Sequence, residues 1–571
     1  MATLSGSEFL VNTTTLNEQS LSDVTGLTNG RFVVTWQDLS ATAPDTSGYA
    51  TRAQIFNADG SMFGAEFVVN TTTTTFQLEG RVSGLNTGGF VVTWTDFNLG
   101  GGDTSAGSVK AQLFDAAGAK VGAEFLVNTT TLNGQNESAV TTLKDGRFVV
   151  SWTDQSDISG SFPTADIRAQ IFNANGSKAG AEFIVNSQRD WHQLGSDITA
   201  LKNGGFVVSW TDALDRLDDA SGSAIRMQVY SAGGLAVSGE TLVNSTTLSG
   251  QLDPSITALS NGRFVVSWTD SSQTGGDMFN DAVRAQVFTA AGTAVGSEIL
   301  VNTTTDFDQD TSAVTALADG RFVVVWRDQS AQFSTDQYEI RAQVFNANGS
   351  KHGAEFVANA TPLGTQWHPS ITTLADGRFA VTWTDFSQTD PDRSVSAVRG
   401  QIWDARTTAI TLGGTAQDDD FMGTKFDDDL KGALGNDHLS GGLGNDTLTG
   451  GAGADTLIGG NGADDLRGGT GKDLLTGGSG ADRFIFASAA EAGLGGSRDV
   501  ISDFGATGDK IDLQAFMAGG QFVGSGPFGA AGDVRFDAGP GILSGDVDGD
   551  GLADFEIKVS GVGPTAGDFI F

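Results

Sequence analysis

In 571 residues the chain carries 69 Asp+Glu against 32 Lys+Arg, a net charge of −37, with 79 Gly, 9 Pro and no Cys. That balance argues against nucleic acid and against an anionic membrane surface, both of which are held through Lys and Arg, and it leaves an extracellular protein without disulfide staples. No apolar run reaches the roughly 18 residues of a membrane span, so the chain is not expected to cross a membrane, and the opening MATLSGSEFLVN has neither the basic nor the apolar region of a cleaved leader.

The first 410 residues repeat. A GRFVVTW-like segment ends at Trp36, Trp94, Trp152, Trp210, Trp268, Trp326 and Trp383, spaced by 58 residues five times and then by 57. Around each Trp runs the same order: EFLVN, a polar loop, SDVTGL, a turn, GRFVVTW, a long loop, and TRAQIF. Every run is short, β-branched or aromatic, and bounded by Gly, Asn, Asp or Thr, which is strand chemistry. TNG, KDG, SNG and ADG between the second and third runs are hairpin turns. Seven helix-free units of four strands predict a seven-bladed β-propeller, with a β-solenoid as the alternative. The chain opens on an outermost-type strand, Glu8 to Asn12, and the seventh unit stops at its third, Arg399 to Trp403. Residues 8–12 are therefore expected to complete the last blade.

Near residue 410 the pattern changes. Residues 414–485 read as eight unbroken nonapeptides, such as GGLGNDTLT at 441–449. The sixth position is always Asp: Asp419, Asp428, Asp437, Asp446, Asp455, Asp464, Asp473 and Asp482. The eighth is always large and apolar, from Phe421 to Phe484. Glycines permit tight turns with positive φ and bring carbonyls close to an ion, and one carboxylate per repeat supplies the hard oxygen that calcium prefers. The pattern resembles the hemolysin-type, or repeats-in-toxin (RTX), nonapeptide, which implies a parallel β-roll around calcium. Two nonapeptides make one coil, so facing pairs are expected at Asp419/Asp437, Asp428/Asp446, Asp437/Asp455, Asp446/Asp464, Asp455/Asp473 and Asp464/Asp482. The resemblance further implies carbonyl ligands from the glycines at positions two and four: Gly442, Gly444, Gly451, Gly453, Gly460, Gly462, Gly469 and Gly471. The first two repeats depart from it, with Thr415, Gln417, Thr424 and Phe426 in place of Gly.

The tail, 486–571, is similar to the carboxy-terminal part of serralysin-type proteins through DVISDF (499–504), GDKIDL (508–513) and the terminal DFIF. That resemblance implies a cap on the roll and an uncleaved signal for type I secretion machinery. Serralysins are zinc proteases, but none of the four histidines (His192, His352, His368, His438) stands in H-E-x-x-H, and no zinc site is expected. DVDGDGLADF at 546–555 has the look of a calcium loop but lacks a Glu at its twelfth position, where Ile557 stands.

In the propeller, an Asp two residues after each Trp and an Arg or Lys opening the next strand recur in all seven units, which favours a structural ion pair. The seven Trp are expected between blades, and the asparagines ending EFLVN, though set in N-x-T triplets, as turn formers. A Gln seven residues after each of these asparagines either rings the channel mouth or stitches its own loop. Two loops carry aromatics beside His, Trp191-His192 and Trp367-His368, and are the candidate ligand-binding residues. No catalytic constellation emerges; an enzyme would draw on Asp190, His192 and His368.

The fold class expected is all-β: a propeller (1–410), a calcium β-roll (411–485) and a C-terminal β cap (486–571). The functional expectation is a secreted, extracellular calcium-binding protein, exported by type I machinery, whose propeller binds a polysaccharide or cell surface. A polymer-degrading enzyme and a biofilm-matrix or surface-layer protein are the alternatives.

Overall fold

The computed structural model describes every residue except Met1, Ser47, 99–101, 104–105, 158–163, 190, 214–221, 330–336, 362–363, 390 and 506–507. The chain forms two units, Met1–Thr28 with Phe32–Ala405, and Asn29–Arg31 with Arg406–Phe571.

The first unit is a seven-bladed propeller of antiparallel sheets whose strands follow one another in chain order. In the first blade they are Gln19–Gly26, Phe32–Asp38, Ala50–Phe56 and Met62–Val68. The seventh holds Gln366–Thr373, Phe379–Asp385 and Ala397–Asp404. Its outer edge is made by the start of the chain: Phe9 pairs with Gly400 and Leu10 with Arg399, and Thr3–Leu4 adds a further pairing against Trp403 and Asp404.

The GRFVVTW strand is buried on both faces because each blade is packed between two others. Phe32, Val34 and Trp36 cluster with Leu374, Ala380, Val398 and Ile402 of the seventh blade. The alternate residue Val33 joins Ala53 and Ile55 against Val82, Phe90, Val92 and Trp94 of the second. Strand alternation thus sends one face of each blade backward and the other forward. All seven Trp are fully buried in these seams.

The recurring polar residues are structural. Arg52 pairs with Asp38 at 2.6 Å, Lys110 with Asp96 at 2.8 Å, Arg226 with Asp212 at 2.8 Å and Arg399 with Asp385 at 2.6 Å; Arg168–Asp154, Arg284–Asp270 and Arg341–Asp328 complete the set. The Glu of EFLVN adds what the repeat alone did not reveal. Glu66 accepts from the backbone N–H of Thr13 (2.6 Å) and Thr14 (3.1 Å) and from both hydroxyls, and also from Arg52 Nη1 (2.7 Å). The clamp recurs around the ring and closes where Glu8 accepts from Ala360 and Thr361. The asparagines Asn12, Asn70 and Asn128 are buried and their Oδ1 accepts from the third strand, at Val398, Thr51 and Val109. That is a turn-fixing role and leaves no exposed amide. The glutamines also stitch their loops: Gln19 is buried and donates to the Leu16 carbonyl (2.6 Å) and to Asp38 (3.0 Å), so these amides do not line a channel mouth.

The second unit is a parallel β-roll. Strands pair in parallel at a spacing of 18 residues, Leu430 with Leu448 and Leu439 with Leu457. Eighth-position residues from Leu430 to Phe484 form one buried row that continues through Ile501, Ile511 and Ile557. The tail extends the roll: Asp499–Phe504 pairs in parallel with Leu474–Ser479, and the terminal Phe569–Ile570 with Lys510–Asp512. Among the described residues, no helix is long and apolar enough to cross a membrane.

Candidate functional site

Two places in the molecule concentrate chemistry. The first is the end of the propeller where the innermost strands begin. Each of these strands carries a β-bulge two residues after its Gln. The bulged residue is left-handed in all seven blades: Leu21, Glu79, Glu137, Gly195, Asp253, Thr311 and His368, with φ between 51° and 58°. Only Gly195 adopts this without strain, and bulges of this kind re-aim side chains beside binding sites. Within the repeated strands, it is a position where the seven blades carry unlike side chains.

On one arc the bulges are acidic. Glu79 accepts from Thr95 Oγ1 and from the Glu137 N–H, both at 3.2 Å, and Glu137 accepts from Thr153 Oγ1 (2.9 Å) and the Gly195 N–H (3.1 Å). Burial, then repulsion from Glu137, raises the Glu79 carboxyl, and burial with Asp310 and Glu137 raises Asp253. In the sixth blade Arg327 replaces the Thr or Gln that follows Trp elsewhere. It grips Asp310 through Nε (2.6 Å) and Nη2 and lies over the rings of Tyr338 (4.5 Å) and Trp367 (5.4 Å). Burial and the Arg327 charge lower His368, which keeps it neutral near pH 7.

The two candidate loops therefore differ. Trp367 is half-buried, packed on Phe386 at 5.2 Å with His368 next to it on the bulge. Trp191 is 54% exposed, and His192 is exposed beside it. Asp190 lies outside the described residues. The arc of Glu79, Glu137 and Asp253 was not visible in the sequence, since only the bulge register shows that these unlike residues share one position.

The second place is the turn of the roll. Gly442, Gly444, Gly451, Gly453, Gly460, Gly462, Gly469 and Gly471 are left-handed, with φ between 104° and 145°. A side chain on Gly453 would run into the Gly435 carbonyl, and one on Gly462 into that of Gly444. A further demand falls on the first position of the repeat. A Cβ on Gly450 would meet Asp455 Oδ2 and lie 2.6 Å from the Gly468 carbonyl oxygen.

All six expected Asp pairs are brought together. The backbone N–H of each Asp donates to Oδ1 of the Asp 18 residues on, from Asp419→Asp437 to Asp464→Asp482, at 2.8–3.0 Å. The other oxygen, Oδ2 of Asp437, Asp446, Asp455, Asp464, Asp473 and Asp482, is buried with no hydrogen-bond partner. Buried carboxylate oxygens without a donor are costly unless a positive charge supplies the missing contact. Burial, with the neighbouring carboxylates, raises Asp437 and Asp446 to about 7 and Asp473 and Asp482 to about 6.

The family model of the RTX calcium-binding nonapeptide repeat (four copies) matches 413–448, 422–457 and 449–484. Residues 413–484 are RTX calcium-binding repeats. Orphaned carboxylate oxygens beside stacked backbone carbonyls are the hard, oxygen-only donor set that calcium takes.

The RTX ladder has irregular ends. In the first two repeats, Thr415 donates its N–H to Asp419 Oδ2 (2.6 Å), and the Thr424 N–H and hydroxyl occupy Asp428. At the other end the ladder passes beyond the last nonapeptide. Asp473 N–H donates to Asp499 Oδ1 (2.8 Å) and Asp482 N–H to Asp509 Oδ1 (3.2 Å). Asp499 Oδ2 is orphaned like those before it, and burial raises its carboxyl to about 8. The sequence hid this step because the intervals lengthen to 26 and 27 residues. In the 546–555 hairpin loop the carboxylates of Asp546, Asp548 and Asp554 converge, but Asp546 already accepts from the N–H groups of Gly549 (2.6 Å) and Gly551 (2.9 Å).

No curated protein matches the chain. Solved structures similar to it include a protein of unknown function from Dyadobacter fermentans (12% identity, 71% of this chain and 99% of that one, TM-score 0.42). Polysaccharide lyase Uly1 (11%, 66% and 88%, 0.43) and an α-L-arabinanase of Penicillium chrysogenum complexed with arabinobiose (11%, 70% and 98%, 0.39) are others. At TM-scores below one half these likenesses carry no argument about activity.

Proposed function

We propose that the protein is an exported recognition protein: its RTX roll folds on calcium outside the cell, and its propeller then holds a ligand of a cell surface or extracellular polymer. The observation that carries this reading is the row of buried, unpartnered Asp Oδ2 atoms beside left-handed glycines. We assign the ions to the pairs Asp437/Asp455, Asp446/Asp464, Asp455/Asp473 and Asp464/Asp482, and to Asp473/Asp499. The stacked carbonyls of the position-two and position-four glycines supply the remaining oxygens. Asp419 and Asp428, occupied by Thr415 and Thr424, hold their ions least well.

At low cytosolic calcium the ladder repels itself and the roll stays open, which suits passage through a type I exporter. Outside, calcium binds the folded roll and draws the chain into it by mass action. Residues 414–571 hold 26 Asp+Glu against 9 Lys+Arg, so much of the negative charge resides in this module. The recognition role rests on the propeller bulges, where a structural repeat gives way to unlike side chains at strained positions. Circular dichroism of the full chain titrated with calcium tests the first half: a cooperative gain of β structure is expected near the ~0.1–1 mM range of extracellular calcium modules. A roll equally folded in excess chelator would overturn it.

A further inference from the structure

The propeller face that carries the bulges also carries a ring of hydrophobic side chains in water. In the loop entering each innermost strand, one large apolar residue stands exposed: Leu16, Phe76, Leu132, Trp191, Leu248 and Phe307, one from each of the first six blades, all between 47% and 58% exposed. The loops that present them are pinned. The buried Gln19, Gln135 and Gln251 donate to the carbonyls of Leu16 (2.6 Å), Leu132 (2.9 Å) and Leu248 (2.9 Å), the exposed residues themselves. Single exposed hydrophobes are ordinary, but one in the same loop of six consecutive blades, one to three residues before the buried Gln, makes a patch, and patches of this kind mark interaction surfaces. Nothing in the fold needs them outside, since each blade seam is closed by its own Phe, Val and Trp.

Inside this crown lie the acidic bulges. Asp310 is taken by Arg327, whose charge also reaches Asp253; Arg81 acts on Glu79, and Glu137 is met by the neutral donors Thr153 and the Gly195 N–H. Burial and neighbouring carboxylates raise Glu79 and Asp253, a cost that an added positive charge would relieve. An apolar rim around an acidic centre repels anionic glycans and anionic lipid. Leu16, Leu132 and Leu248 have no flat π face for a sugar ring to stack on. A long basic side chain with apolar neighbours satisfies both zones, because its ammonium or guanidinium meets the carboxylates while the flanking residues cover the crown.

We propose that this face is a docking surface for a protein segment that inserts a Lys or Arg side chain among Glu79, Glu137 and Asp253 and lays its apolar neighbours on the Leu16–Phe307 crown. The proposal rests on the recognition reading above and names its partner class. The loops are already held in place, so little ordering cost is incurred on binding, and the carboxylates steer association in a salt-dependent way.

The test uses the full chain in calcium on an array of immobilised nonapeptides with central Lys or Arg flanked by Leu and Phe, and the same peptides with central Gln or Glu. Neutral and acidic glycans are arrayed beside them. At least about tenfold preference for Lys or Arg over Gln is expected, less at high salt. Asp253→Asn, whose side chain makes no hydrogen bond among the described residues, should weaken that preference, and Glu137→Gln with it should abolish it. Leu16→Ser with Leu248→Ser should weaken binding to every peptide; unchanged circular dichroism confirms folding. Equal binding of Lys and Gln peptides overturns the proposal. A signal on glycans alone, lost in Trp191→Ala, also overturns it but keeps the recognition reading. Silence on both arrays overturns both.

Discussion

Replacing Glu124 by Gln should loosen one blade seam and do so only where the carboxylate is charged. Glu124 of the second blade accepts from the N–H of Thr71 (2.7 Å) and Thr72 (3.3 Å), from both hydroxyls, and from Lys110 at 3.1 Å. Burial pushes its carboxyl upward, yet these donors outweigh it and bring the group from 4.5 to about 2. At about 1.4 kcal/mol per pKa unit the shift corresponds to ~3 kcal/mol, and screening by water at a partly wet site reduces the expected loss to about 1–2 kcal/mol. For a propeller of this size that lowers the melting transition by about 1–2 °C. The sign follows from a depressed folded-state pKa: the stabilisation is present above the unfolded value and disappears as pH falls through about 4 toward 2. Thermal unfolding of the wild type and E124Q in saturating calcium, between pH 7 and pH 3, reads this directly. The gap should be full at pH 6 and shrink below pH 4.5. A gap that is absent at pH 6, or constant down to pH 3, would refute the clamp as an energetic seam.

Gly450→Ala should weaken the calcium response of the roll by about tenfold or more, since the new Cβ collides with Asp455 Oδ2 and the Gly468 carbonyl; Gly413→Ala, with nothing within 4 Å, should not, and calcium titrations by circular dichroism compare them. In chelator the pH dependence of the roll should run opposite to that of the propeller seams. Asp437, Asp446 and Asp499 have raised folded-state values of about 7, 7 and 8, so calcium-free roll is favoured below about pH 4 and lost as pH rises through 7–8. Calcium should reverse that order, because protons then compete with the ion; β content of the chelated chain that is flat from pH 5 to pH 8 would contradict it. Trp36→Ala should cost about 3–5 kcal/mol in urea unfolding and Trp191→Ala less than about 0.5, since one is fully buried between blades and the other stands in water.

Periodicity made the architecture legible before any coordinates. Seven copies of four short strand runs implied the blades and put each Trp between them, and a nonapeptide of constant phase implied coils of 18 residues, because each constant position must meet its own copy. What stayed hidden was whatever depends on register between copies. Glu66 reads as one polar residue of an outer strand, and only the stagger of adjacent blades carries it to Thr13 and Thr14. Asp499 belongs to the Asp ladder, but a 26-residue interval replaces 18 there and breaks the pattern a reader follows. Leu21, Glu79, Gly195 and His368 share no chemistry, so no comparison of residue types aligns them; the bulge does.

That contrast separates structural from functional positions in a repeat protein. Where seven copies agree, the agreement has a partner inside the fold: Asp38 has Arg52, Gln19 has the Leu16 carbonyl, and Trp36 has the seventh blade. Agreement is what packing demands of a ring, because every seam faces the same problem. The bulge is different, since the backbone strain is repeated seven times while the side chain is not. A left-handed non-glycine residue costs roughly 1 kcal/mol or more, and Gly would relieve it at every blade, as Gly195 does at one. Glu79 and Glu137 use their carboxylates partly to bridge to the next blade, at the Glu137 and Gly195 N–H groups, whereas the Asp253 and His368 side chains are not repeated in any other blade, so their chemistry answers to something other than the shared packing. The crown of Leu16 to Phe307 adds the complementary half, since it is uniform in exposure where packing would require burial.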